Sequence, residues 1–490
     1  YYDAFKNRET VVYVGANDGM LHAFTSWKYN ASLRQYERPS GAGPYEDIGD
    51  ELWAYIPQSL LPHLKWLADP NYTHVFYVDL KPKVFDAKIL PDDTHYTDDD
   101  GTLSNRKNWG TFVLVGLNMG GKQISATGDF NGDGVSTESR TFTPSFALID
   151  VTEPREPRLM WEKTYAGLGM ATSVPAIERV KDKWFAVFGS GPTNYDGSSS
   201  QRAHVFVVDL ETGAPYKSGT NDWLFETAES SAFMNSPVSL DEDLNFNVDA
   251  VYFGESYLQG GTWMGKVYKL TVPAVNAAGE YDPYSASIYP DNPKDSTYPW
   301  RLWPLFNATR PVTTSVLLSQ DGYGNVWVYG GTGRYLSAED KVNTDTQYIF
   351  GVKDPFFNKA HSPTGAFLDN YYHNYSAGLQ LQTTDLFNGD SFTIIDDGTV
   401  FEGETLFGYW KDLLSAARAE DGWIRTLTTS KERVLNKPSI LAGIVFTPSF
   451  VPNDDICGAS GESYLYNNPL ACRGGVTRKA WYAVPCCPSN

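Results

Sequence analysis

Short apolar runs alternate along this chain with polar turns that carry glycine, and the first such unit, VVYVGANDGMLHAF at residues 11–24, sets the pattern for the rest. Val11, Val12, Tyr13 and Val14 favour a pleated backbone, Asn17-Asp18-Gly19 supplies residues that tolerate positive φ in a tight turn, and the next five residues return antiparallel. The arrangement recurs. Residues 73–89 read as two short strands around a Lys-Pro turn. WGTFVLVGLNMGGKQISA at 109–126 leads to FALIDVT at 146–152, and WFAVFGSGP at 184–192 leads to HVFVVDL at 204–210. DAVYFGES from 249 leads to GKVYKL ending at 270, GNVWVYGGTGRYL from 324 to QYIFGVKD ending at 354, and ILAGIVFTPSF from 440 to ESYLYNN ending at 468.

One hairpin cannot bury both its faces, but copies stacked around a centre can. About seven self-similar units, each with a glycine break and with Trp-bearing strands such as LMWEKT and PWRLWP between them, predict a β-propeller. The expected fold is therefore all-β: seven blades of four antiparallel strands, with long inserted loops and a few short helices. An irregular β-sandwich array is the alternative. Residues 1–490 form a single propeller domain on this view, with insertions at about 90–108, 121–145, 273–299 and 369–410 and a cysteine-containing tail at 455–490. SLLPHLKWLADP at 59–70 is the best helix candidate, with Leu60, Leu61, Leu64 and Leu67 on one face.

Composition narrows the class. The 490 residues are 41% hydrophobic and 14% aromatic, enough for a large core, and the 43 Gly and 29 Pro suit a turn-dense β protein. A formal net charge of -20 repels phosphate backbones and anionic lipid, so nucleic acid is not an expected partner, whereas an acidic surface suits cations. No run of about 20 apolar residues is present, so no membrane-spanning segment is expected. YYDAFKNRET lacks the regions of a signal peptide, which leaves a cytosolic protein or the mature part of an exported one. The four cysteines, Cys457, Cys472, Cys486 and Cys487, cluster near the end and favour export as disulfides, with all three pairings open. Their spacing lacks two CxxC knuckles, which argues against zinc.

YVGANDGMLHAF, ELWAYIP at 51–57, the VGLNMGGKQISA…ALIDVT pattern split by an insertion, WFAVFGSGP, VYGGTGRYLSAED and ERVLNKPSILAGIVFTPSFVPNDDIC occur in an order that resembles the C-terminal propeller of the PilY family. These are type IV pilus-associated adhesins and assembly factors. The likeness runs from about residue 11 to about 466. It implies an extracellular, non-enzymatic protein at the pilus tip or outer cell surface. Its implied partners are minor pilins and host or abiotic surface ligands, and its implied activity is attachment with calcium-dependent regulation of pilus extension and retraction. The family carries a signal peptide and a large N-terminal region, so the chain is expected to correspond to a C-terminal part.

The chemistry lies in carboxylate loops. DFNGDGVSTE from 129 matches the start of a calcium loop, D-x-[DN]-x-[DN]-G. Asp129, Asn131 and Asp133 alternate on one side of a tight turn, Gly134 permits the reversal, the Val135 carbonyl can turn inward, and Thr137 or Glu138 can complete the hard-oxygen set that Ca²⁺ needs. Arg140 stands where an EF-hand places its bidentate Glu, so the loop is of a shorter kind. The resemblance implies a second loop, DEDLNFNVD, with ligands at Asp241, Asp243, Asn245, Asn247 through its carbonyl, and Asp249. There Phe246 replaces the usual glycine, and reduced affinity is expected. Ca²⁺ is the one cofactor expected.

Other motifs fail. GGTWMGKV at 260–267 has phosphate-loop spacing but offers Val267 where a hydroxyl is needed, between strands. The seven histidines form no HExxH, and no GxSxG elbow is present. Two alternatives to the pilus-associated class remain: a quinoprotein-dehydrogenase-like propeller enzyme, to which the adjacent Cys486-Cys487 pair fits superficially, and a carbohydrate- or protein-binding propeller unrelated to pili.

Overall fold

The computed structural model describes residues 1–490 except 2–4, 6–7, 31, 38–47, 92–94, 98–102, 106–107, 216, 219–220, 223, 242–243, 245, 273–299, 322–323, 359–371, 374–376, 396, 454–460 and 470–490. The chain divides into two compact units, residues 1–194 with 204–224, and 195–203 with 225–490.

In the first unit the opening hairpin forms as its sequence dictates. Val11–Gly15 pairs with Leu21–Thr25 from Val11↔Thr25 to Gly15↔Leu21, and Gly19 closes the turn at φ 102°. Leu21 and Ala23 point into the core and His22 to the other face, the period of two that a half-buried strand shows. Glu51–Tyr55 adds a third strand. Next, Lys83–Lys88, Trp109–Val115, Ser145–Asp150 and Arg158–Thr164 make a four-stranded antiparallel meander. Ala176–Val180, Lys183–Gly189 and His204–Asp209 begin another. Their inward rings meet between and within sheets: Phe146 lies 4.5 Å from Phe188 of the next sheet, and Phe188 stacks at 5.2 Å on Phe206, its partner on the neighbouring strand.

The second unit is built on the long hairpin Ala250–Gln259 and Thr262–Thr271, closed by Gly260 and Gly261 at φ 59° and 82°. The phosphate-loop-like glycines are thus a hairpin turn. Ala232–Met234 and Val238–Leu240 pair on one side of this hairpin and Arg301–Asn307 on the other. A further sheet holds Leu317–Gln320, Val326–Gly331, Tyr348–Lys353 and Gly422–Thr426, and a last one Ser439–Leu441, Ile444–Val451 and Glu462–Pro469. Phe306, Phe350 and Phe356, all fully buried, anchor the core here.

Several expectations change. Residues 73–89 yield one strand, not two: Tyr77 N–H is taken by the Asn17 side chain and Val78 N–H by the Ala16 carbonyl, so this stretch straps the first hairpin's turn. Only Lys83–Lys88 is left to pair, and it joins the sheet of Trp109–Val115 rather than founding its own. Six sheets of the meander kind therefore stand among the described residues. The three-stranded sheet Phe392–Ile394, Thr399–Glu402 and Thr405–Tyr409 is an insertion between two strands of one of them. Two short strand pairings among the described residues are parallel, beginning at Phe306↔Leu381 and Phe387↔Trp423, beside that insertion.

The helix candidate is a 3₁₀ helix, Gln58–Ala68, containing Pro62. Three residues per turn put Ser59, Leu60 and His63 on the buried side and leave Leu61 and Leu67 exposed, so the expected Leu60/Leu61/Leu64/Leu67 face does not form. The insertion at 273–299 lies outside the described residues.

Candidate metal loops

The hairpin Ile124–Gly128 with Glu138–Phe142 ends on the pair Gly128↔Glu138, and between those two residues runs the loop 129–137. Asp129 holds it closed. One carboxylate oxygen accepts the N–H groups of Gly132 (2.7 Å) and Asp133 (3.2 Å), and the other accepts that of Gly134 (2.8 Å). Those donors, Gly134 first, hold the Asp129 carboxyl below its usual pKa. Asn131 Oδ1 accepts Asp133 N–H, Asp133 accepts Val135 N–H, and Asn131 Nδ2 donates to Asp133 at 3.0 Å. Gly132 and Gly134 take φ 79° and 83°. Asp129, Asn131, Asp133, Val135 and Thr137 are thus gathered on one exposed loop. Glu138 is turned to Phe130 N–H, and Arg140 reaches away to Gln58 at 3.3 Å.

The second loop is framed in the same way. Leu240↔Ala250 is the last pair of its strands, and residues 241–249 run between them. Phe246 N–H donates to Asp241 at 2.8 Å, the counterpart of Gly134 N–H on Asp129. Leu244 and Phe246 take φ 58° and 66° at the places where the first loop has Gly132 and Gly134. Both side chains are 78% exposed, so no packing forces the left-handed backbone on them. Asn247 is buried, and Asp249 is fixed by N–H to Leu240 O at 2.8 Å and by its carbonyl to Val272 N–H at 3.2 Å. Asp243 and Asn245 lie outside the described residues, as do Cys457, Cys472, Cys486 and Cys487.

Two loops of equal length, closed by equivalent strand pairs, therefore share the position-six N–H on a position-one carboxylate and positive φ at positions four and six. From sequence, the Phe246 substitution counted against the second loop; the backbone adopts the glycine conformation regardless. The donor chemistry suits a hard cation: carboxylates, amide oxygens and carbonyls, with no sulfur or imidazole. Among the described residues no three His, Cys, Asp or Glu side chains converge as a metal cluster, because each loop sets only two described carboxylates at ligand positions.

Buried ion pairs also stand in the second unit. Lys269 meets Asp354 at 2.7 Å, both buried, with Tyr252 OH on the same oxygen. Arg334 binds both oxygens of Asp340, which with Ser337 caps the helix Ala338–Val342, and lies 3.9 Å above the Trp263 ring. His22 is hydrogen-bonded to Glu51 and Asp18, and His63 and His204 are buried. Sequence reading missed the Lys269–Asp354 and Arg334–Asp340 pairs, since nothing in a charged residue's immediate neighbours reports burial.

Antiparallel meander sheets following one another along the chain, six of them among the described residues, define a protein of the β-propeller class. Residues 1–392 match the model of the PilY1 beta-propeller domain, and the chain belongs to that family. The crystal structure of the Pseudomonas aeruginosa PilY1 C-terminal domain has the same fold, with a TM-score of 0.55 at 19% identity over 96% of this chain and 80% of that one. A type IV pilus biogenesis factor PilY1 homolog of Xylella fastidiosa is 25% identical over 94% of this chain and 29% of its own length. Type IV pilus biogenesis factor PilY1 of Pseudomonas aeruginosa is 25% identical over 95% of this chain and 35% of its own length. The chain thus spans about a third or less of these relatives. No helix among the described residues is long and apolar enough to cross a membrane.

Proposed function

We propose that this chain is a non-enzymatic, calcium-binding propeller of the type IV pilus system. In this role it acts outside the cell at the pilus, meets minor pilins, and uses calcium loading to regulate pilus extension, retraction and attachment to a surface. Kinship with pilus biogenesis factors supports the setting. The calcium part rests on one observation, the common backbone of loops 129–137 and 241–249, kept in the second loop at the cost of left-handed Leu244 and Phe246. Backbone strain of this kind gathers at ligand sites. The residues that would hold the ion are Asp129, Asn131, Asp133, Val135 O and Thr137 in one loop, and Asp241, Asp243, Asn245, Asn247 O and Asp249 in the other. A bound Ca²⁺ would offset the repulsion between carboxylates and fix the exposed loop surface.

Calorimetric titration of the purified chain with Ca²⁺ tests this. Two saturable sites are expected, one lost in Asp129→Ala and the other in Asp241→Ala. No saturable heat in the parent chain would remove the calcium assignment while leaving the pilus setting to be tested by co-purification with minor pilins.

A further inference from the structure

Glu255 lies within the strand Ala250–Gln259, paired with Lys266 on one neighbour and flanked on the other by Met234. It is 0% exposed, and neither carboxylate oxygen has a hydrogen-bond partner of regular geometry, the Thr227 and Tyr268 hydroxyls approaching it without completing one. Two other sheets show what this place usually holds. Ser190 follows Gly189, whose partner is Val205, and its Oγ accepts the His204 N–H at 2.9 Å. Thr332 follows Gly331, whose partner is Ile349, and its Oγ1 accepts the Tyr348 N–H at 2.9 Å. Glu255 follows Gly254, whose partner is Val267, so a carboxyl stands where those sheets place a short hydroxyl tied to the next strand.

The groups that face Glu255 come from three elements. Thr227 precedes the strand Ala232–Met234, Tyr268 lies on Thr262–Thr271, and Tyr257 is on its own strand. Lys266 is the cation on the paired strand, and its ammonium is bonded to Glu229 and sits 5.5 Å from the Tyr257 ring. Residues directly opposite on antiparallel strands have Cβ atoms about 5 Å apart on the same face, within the reach of a lysine stem.

We propose that Glu255, Lys266 and Glu229 form a proton-operated switch: Lys266 pairs with Glu229 while Glu255 is neutral, and moves to Glu255 when that carboxyl ionises, releasing the segment that carries Glu229. Burial, opposed by the Thr227 and Tyr268 hydroxyls, pushes the Glu255 pKa up to about 7 from 4.5. The folded chain therefore keeps a proton that the unfolded chain has lost, and stability falls as pH rises from about 4.5 through about 7. Ionised Glu255, fully buried, needs a counter-charge, and Lys266 is the cation opposite it.

Thermal midpoints of the parent chain and Glu255→Gln between pH 5.5 and 8 test the titration. The parent should lose stability relative to the variant as pH rises, the variant being flat by comparison. Parallel profiles would overturn the proposal. Should Glu255→Gln fail to fold, Lys266→Met supplies the second test: without its counter-charge the Glu255 titration, followed by the infrared band of the buried acid, should move to higher pH, and an unmoved band would refute the exchange. Crystals grown at pH 5.5 and 8 should show Lys266 on Glu229 and on Glu255 respectively; the same pairing in both would also refute it.

Discussion

A lysine in the middle of a strand ordinarily signals solvent, and Lys269 in GKVYKL carries no local mark to the contrary. Its partner Asp354 lies 85 positions away, so the pair is set by the alignment of sheets and not by neighbouring residues. Removing one member of a buried pair leaves an uncompensated charge, which costs about 3–5 kcal/mol. Lys269→Met should therefore lower the unfolding free energy by that amount, read as a lower urea midpoint with an unchanged slope, because Asp354 would keep neutral donors such as Tyr252 OH and the Phe356 N–H. A loss below about 1 kcal/mol would mean that those neutral donors satisfy the carboxylate alone.

Strands and turns were the most legible elements. Val11–Gly15 with Leu21–Thr25, Trp109–Val115, Lys183–Gly189 with His204–Asp209 and Ala250–Gln259 lie where β-branched and aromatic runs end at glycine. The 73–82 stretch was misread because its apolar residues serve burial without pairing: Tyr77 is 0% exposed, yet its amide goes to Asn17. The helix was misread because the leucine spacing suits 3.6 residues per turn, whereas the Pro62-bearing segment winds tighter. Of the two loops, the oxygen-bearing residues at alternating positions were legible and the shared length was not, since it depends on which residues close each hairpin. That closure makes a prediction about the second loop as an element. A left-handed bulky residue costs about 1–2 kcal/mol, and replacement by glycine returns up to about 1 kcal/mol through the freer unfolded chain. Phe246→Gly should thus stabilise the protein by about 0.5–1 kcal/mol in the presence of chelator, read from urea unfolding. Destabilisation instead would show that the exposed Phe246 ring contributes contacts that outweigh its backbone strain.

At the scale of the whole molecule, charge governs how any cation effect must be measured. A chain of net charge -20 repels itself, and any salt relieves that repulsion, so a rise in thermal midpoint with CaCl₂ alone proves little. Specific loading differs in form: a ligand that binds only the folded chain stabilises it by about 2.7 kcal/mol per site at 100 times its Kd and keeps adding logarithmically, whereas screening levels off. Calcium should therefore raise the midpoint beyond NaCl at equal ionic strength. Mg²⁺, which sheds water reluctantly and demands a tighter octahedron, should raise it less. The double variant Asp129→Ala/Asp241→Ala supplies the decisive comparison: it removes two negative charges together with the acceptors that close the two loops, so its calcium response is read against its own calcium-free midpoint. Its response to NaCl should survive while the calcium excess disappears. If the excess persists, the ion acts elsewhere on the acidic surface and the two nine-residue loops are turns of unusual backbone only.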